Sequence, residues 1–255
     1  MLGLTLDPVC FTIGARPIYW YGVLMATAFA AALFHLILVG RRAGHDSAFA
    51  SDLVFWCMVG GIIGARLAYV AANWEYFSIY PGRIVRMDQG GLIFYGGFSG
   101  AGIAVWLFAA RRGERLVSVM DLLVTALPLG HALGRIGCFL NGCCYGRSST
   151  GACAVAMDGV ARLPVQLFEA AGNLVLWAVL TLVFLRRPRP GTVLGLYCVS
   201  YSALRFLLEF QRGDPRLNWG SFTDAQWLSA ALCATGLAIL LRARSQGHDH
   251  AERGC

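Results

Sequence analysis

The chain has 255 residues, 57% of them hydrophobic and only 14% charged, whereas soluble domains run at about 45–50% apolar and about 25% charged. That balance excludes an ordinary soluble globular protein and leaves a polytopic membrane protein. The formal net charge of +7 is carried by arginine, with no lysine in the chain; topology and anionic lipid account for it, and no nucleic-acid partner is expected.

Residues 1–17 read as an N-terminal arm, because they lack the basic n-region and small-residue cleavage site of a signal peptide. Seven apolar runs follow, at 18–39, 52–72, 92–110, 117–135, 164–185, 192–210 and 223–241. Each reaches or approaches the roughly 20 residues that a hydrocarbon core of about 30 Å requires. The expected fold is all-α, a single integral membrane domain over 1–255 with about seven transmembrane helices. The stretch 136–163 has little periodicity and is expected to be an outer-face loop, and 242–255 a cytoplasmic tail. Gly96, Gly97, Gly100 and Gly102 crowd the third run, which in lipid means close helix packing.

Orientation follows from the arginines. Eleven lie in the loops after runs one, three, five and seven and seven on the opposite side, so the positive-inside rule places the N-terminus outside and the C-terminus in the cytoplasm. The remaining three, Arg66, Arg135 and Arg205, fall within runs two, four and six or at their outer ends. A charge at membrane depth is expensive and marks function by default, and arginine is the side chain suited to bidentate phosphate binding. A phosphate at that depth belongs to a lipid headgroup.

Glu209 stands four residues after Arg205, on one helix face, and is expected to pair with it. Glu169 lies early in run five, where it could meet an arginine of a neighbouring helix and fix its plane. Asp121 is expected near a helix end. His131 precedes Arg135 by four residues on the same face and is a candidate base, since histidine titrates near neutral pH. The segment from His131 to Arg147 also carries Cys138, Cys143 and Cys144, with Cys153 beyond. Without a C-x-x-C pair a metal site is the weakest reading; a structural loop, tightened by one disulfide or by buried thiols, is the strongest.

Six motifs in order resemble those of the prolipoprotein diacylglyceryl transferases: Tyr19-Trp-Tyr21-Gly22; Gly64-Ala-Arg66-Leu-Ala-Tyr69; Gly90-Gly-Leu-Ile-Phe-Tyr95-Gly96-Gly97; Pro128-Leu-Gly-His131-Ala-Leu-Gly134-Arg135-Ile-Gly137; Pro164-Val-Gln166-Leu-Phe-Glu169-Ala; and Tyr201-Ser-Ala-Leu-Arg205-Phe-Leu-Leu-Glu209-Phe-Gln-Arg212. The resemblance covers nearly all of 18–241. It departs from the family's better-known form at Tyr95, where that form has histidine, at Cys138, where it has asparagine, and at Cys143, where it has an acid.

The resemblance implies an enzyme of the bacterial inner membrane, with its site toward the outer face. Such an enzyme moves a diacylglyceryl group from phosphatidylglycerol to the lipobox cysteine of a prolipoprotein signal peptide, forming a thioether and releasing glycerol phosphate. No metal or other cofactor is implied, and the partners are phosphatidylglycerol, the signal peptide and membrane lipids. Arg135 and Arg205 are then expected to stabilise the departing phosphate, with His131 and Tyr95 serving the thiol proton. Arg66, Tyr21, Gly96, Gly97, Asn141, Gly146, Gln166, Glu169, Glu209 and Arg212 are expected to bind substrate. Two other classes fit the outer cysteines less well, a quinone-linked thiol oxidoreductase and a non-catalytic lipid-binding paralogue.

Overall fold

A computed structural model describes residues 7–87, 90–157, 159–216 and 218–252. Its helices are α1 (Trp20–Arg42), α2 (Ser47–Ala72), α3 (Trp74–Ile79), α4 (Phe94–Arg112), α5 (Leu116–Leu140), α6 (Val165–Leu185), α7 (Thr192–Glu209) and α8 (Asp224–Glu252). Each of the seven expected apolar runs is helical over most of its length, with the ends of five of them falling in strands or connections. Among the described residues, the helices at 20–42, 47–72, 116–140, 165–185 and 224–245 are long and apolar enough to cross a membrane. The other two long helices, α4 and α7, have 19 and 18 residues; at about 1.5 Å per residue they approach the hydrocarbon thickness.

The expectation of an all-α chain needs correction at the connections. Among the described residues there are three antiparallel hairpins: β1 (Val9–Ile13) with β2 (Arg16–Tyr19), β3 (Val155–Met157) with β4 (Val160–Arg162), and β5 (Asn218–Trp219) with β6 (Phe222–Thr223). Their turns carry Gly14, Gly159 and Gly220, each with positive φ, the conformation that hairpin turns require. The first hairpin occupies the arm expected at 1–17, whose residues 1–6 lie outside the described residues. The loop expected from 136 begins instead with the last turn of α5. The expected tail is helical through Glu252, and 253–255 lie outside the described residues.

The described chain forms two compact units, 44–120 and the remainder. In the first, α2 and α4 pack backbone to backbone. A Cβ at Gly60 would lie 2.7 Å from the Gly100 carbonyl oxygen, one at Gly64 2.8 Å from Gly100 Cα, and one at Gly97 3.3 Å from Ala65 Cβ. The expected glycine packing is therefore found, with one exception: a Cβ at Gly102 meets nothing within 4 Å. Gly64→Ala should cost about 1–3 kcal/mol through overpacking. Gly102→Ala should be neutral or gain about 0.5–1 kcal/mol from helix propensity. Thermal unfolding of the two variants side by side checks the assignment.

In the second unit a buried polar chain ties three helices. Trp177 Nε1 donates to His35 Nδ1 at 3.2 Å, and His35 Nε2 lies 3.0 Å from Thr125 Oγ1. Nδ1 accepts, so the neutral ring carries its proton on Nε2. Asp121 lies near the start of α5, as expected. Its buried carboxylate accepts from Gly191 N at 2.6 Å and Leu194 N at 2.7 Å, which caps the start of α7 from another helix and satisfies donors otherwise orphaned there.

Candidate active site

The site residues of the larger unit are placed by α5, α6 and α7. Four-residue spacing puts His131 and Arg135 on one face of α5, and the same spacing aligns Tyr201, Arg205 and Glu209 on α7. Arg135 Nε meets Glu169 of α6 at 3.0 Å, and Arg205 Nη1 meets Glu209 at 2.7 Å, so both expected pairings are present. Each carboxylate is 1% exposed. Each takes one nitrogen of its guanidinium, which holds the plane without consuming the fork.

Tyr201, which sequence reasoning named only as part of a motif, joins these groups. It is hydrogen-bonded to Arg135 and lies in the fields of Arg205 and Glu169, and its ring is 5.1 Å from that of His131. His131 Nδ1 is buried and has no hydrogen-bond partner among the described residues. Glu209 gathers more than Arg205: its Oε1 accepts from Thr223 Oγ1 at 3.0 Å and lies 3.7 Å from Arg216 Nε.

The cysteines are brought together by the end of α5. Gly142 adopts φ +69°; its N–H bonds to Phe139 O at 3.1 Å, and Cys143 N–H bonds to Cys138 O at 3.1 Å. This is a Schellman closure, which sets the residue after the left-handed glycine against the residue five earlier. The pair so apposed is Cys143 and Cys138. Cys144 also adopts a left-handed φ of 63°, a strained position for a side chain other than glycine. The three sulfur atoms all lie within 4.8 Å of one another. The eight described cysteines are free thiols, with Cys138, Cys143 and Cys144 half-buried and Cys153 exposed.

The surroundings polarise this cluster. Burial pushes the Cys143 thiol up. The hydrogen bond with Cys138, together with the Arg212 guanidinium, holds the Cys144 thiol well below the ordinary thiol range, at about 4. Buried Gln166 donates to Cys143 O at 2.7 Å, anchoring the turn from α6. Tyr21, at the start of α1, lies in the field of Cys138 and Arg135 and packs on Gly137, where a Cβ would come 3.2 Å from its ring. Asn141 is exposed beside the cluster and hydrogen-bonds the Cys143 thiol.

Several residues expected to contact substrate are engaged within the protein. Arg66, 8% exposed, spends all five of its N–H donors on backbone carbonyls: Nε on Ile84 at 2.7 Å, Nη1 on Gly90 and Gly91 at 3.1 Å each, and Nη2 on Arg83 at 2.8 Å and Arg86 at 2.5 Å. No donor is left for a phosphate. Gly96 and Gly97 face α2. Arg212 turns its fork on Asp214, at 2.8 Å through both Nε and Nη2. Gly146 is wedged between strands: its N–H bonds to Leu163 O at 3.0 Å, and it bridges to Arg212. Tyr95, 59% exposed, stacks edge-on with Phe94 and belongs, with Arg66, to the smaller unit.

A family model described as prolipoprotein diacylglyceryl transferase matches residues 8–242. Proteins named phosphatidylglycerol–prolipoprotein diacylglyceryl transferase from Azoarcus sp. strain BH72 and Cupriavidus pinatubonensis are each 34% identical to this chain. The first alignment covers 93% of the chain and 95% of the relative, the second 97% and 95%. The Pseudomonas paraeruginosa protein of the same name is 34% identical over 92% of the chain and 93% of its own length.

Proposed function

This chain belongs to the prolipoprotein diacylglyceryl transferase family, and from that premise we propose that it transfers a diacylglyceryl group from phosphatidylglycerol to the lipobox cysteine of prolipoproteins. The proposal includes a single integral membrane domain of seven spans, with the N-terminus outside, the C-terminus in the cytoplasm and the chemistry toward the outer face of the inner membrane. In the step itself the acceptor sulfur attacks the terminal glycerol carbon of the lipid. A C–S bond forms, the C–O bond to phosphate breaks, and glycerol phosphate leaves with the electron pair.

The observation that carries the reading is the pair of carboxylate-held guanidiniums, Arg135 with Glu169 and Arg205 with Glu209. Preorganised cations aimed where charge develops stabilise a transition state without reorganising during the reaction. The acceptor thiol, with an ordinary pKa of about 8.5, must lose its proton. His131 offers the unengaged lone pair for it, Nδ1. His131→Ala is expected to slow transfer by about 10²-fold or more, the usual size of a general-base contribution, and Tyr95→Phe to cost less. Raising the pH, which ionises the peptide thiol in advance, should partly rescue His131→Ala. An inactive Tyr95→Phe beside a near-normal His131→Ala would reverse the two roles. Complementation of a cell depleted of its own transferase tests the overall activity.

A further inference from the structure

Three sulfur atoms within 4.8 Å of one another are more than a structural loop needs. We propose that Cys138, Cys143 and Cys144 hold a thiophilic d10 cation, zinc(II) in ordinary conditions, with the fourth tetrahedral position open to the acceptor thiol of the substrate. The inference rests on the transferase reading, and gives that reaction the means of presenting its nucleophile.

The donor set fits. Zn–S bonds of about 2.3 Å at tetrahedral angles place sulfurs about 3.8 Å apart, so the three thiols need close by about 1 Å at most. Sulfur-only donors select zinc, copper(I) and similar ions over magnesium or calcium. Two of the three positions are set by backbone hydrogen bonds of the Schellman turn, and Gln166 fastens the Cys143 carbonyl. Three protein ligands with one place open is the arrangement of a catalytic zinc rather than a structural one. Four thiolates on zinc carry a net charge of −2, offset in part by the nearby guanidiniums of Arg135 and Arg212, which are shared with Glu169 and Asp214. All three cysteines are half-buried, so a peptide thiol has access.

The chemistry balances. On coordination the peptide thiol loses its proton, which passes through water to His131 Nδ1, two turns along α5 and about 10 Å away by helical rise. The metal-held thiolate attacks the glycerol carbon as the C–O bond breaks toward phosphate. The product is a neutral thioether, a poorer ligand than a thiolate, and its departure reopens the fourth position. The metal undergoes no redox change.

The test uses full-length protein purified in detergent and loaded with zinc or cobalt(II). Wild type and Cys153→Ser are expected to hold one metal per chain. Cys138→Ser and Cys143→Ser should lose affinity by at least about tenfold, while Cys143→His, which keeps a ligand atom, should retain the ion and so guards against misfolding as the cause. The cobalt protein should show thiolate charge-transfer bands that shift with a cysteine-containing lipobox peptide and not with its serine counterpart. Wild type that binds no metal, or a cobalt spectrum indifferent to the peptide thiol, overturns the proposal. Undiminished transfer by chelator-stripped protein overturns it while sparing the transferase reading. No transfer in either metal state, with the cobalt shift intact, overturns the transferase reading and the catalytic role together.

Discussion

Replacing Arg135 or Arg205 by alanine is expected to reduce diacylglyceryl transfer by about 10²–10³-fold, the loss typical when one preorganised charge-stabilising group is removed. The protein should still insert and fold, apart from a stability penalty for the carboxylate left behind. That penalty is real for Glu169, which is 1% exposed and would keep a buried charge without its ion partner, a loss of about 3–5 kcal/mol in comparable cases; it should be smaller for Glu209, which retains Thr223 and Arg216. The double variants Arg135→Ala with Glu169→Gln and Arg205→Ala with Glu209→Gln should recover stability without recovering transfer. Lysine at either position should rescue poorly, because a point charge cannot reproduce the planar fork. Full activity in Arg135→Lys and Arg205→Lys would exclude bidentate recognition of the headgroup.

Arg66 should behave in the opposite way. Its five N–H donors all go to carbonyls of residues 83–91, and its guanidinium lies 5.5 Å from the Tyr69 ring and 5.3 Å from that of Phe77. Arg66→Met would strand those carbonyls, and each buried group left unsatisfied costs about 1–3 kcal/mol. Loss of folded protein and rapid proteolysis near Arg83 and Arg86 are the expected results. Arg66→Lys has three donors to replace five and should be intermediate. In whatever fraction remains folded, the KM for phosphatidylglycerol should be unchanged; a raised KM at wild-type thermal stability would return Arg66 to the headgroup.

The contrast between these arginines was not legible from sequence. Arg66, Arg135 and Arg205 look alike there, each a cation in an apolar run, and only the count of engaged donors separates a loop clamp from a candidate headgroup ligand. The long helices were legible because a run of some twenty apolar residues has few other solutions in lipid. So were the Arg205–Glu209 pair, from helical spacing, and close packing of the glycine-rich third run, though not that its partner is α2. The place of Asp121 near a helix end is legible, but its capping of α7 is not, because a cap supplied across helices leaves no local pattern. The cysteines are legible as a group along the chain, but the approach of three sulfur atoms to within 4.8 Å is not, because chain spacing says nothing of how a turn folds back. The apolar run ends at Arg135, but α5 continues a further turn through Leu140, closed by Gly142, which folds Cys143 back onto Cys138. Tyr201 had a readable signal, its place four residues before Arg205, which marks one face of α7.

The most direct measurement is transfer by the purified protein, reconstituted with phosphatidylglycerol labelled in its glycerol-acyl part and given a peptide with a single lipobox cysteine. Label is expected on the peptide in a thioether, resistant to reduction, with glycerol phosphate released in equal amount and both products lost in Arg205→Ala. Peptide recovered unlabelled, or as a disulfide formed only when quinone is supplied, would contradict the transferase reading.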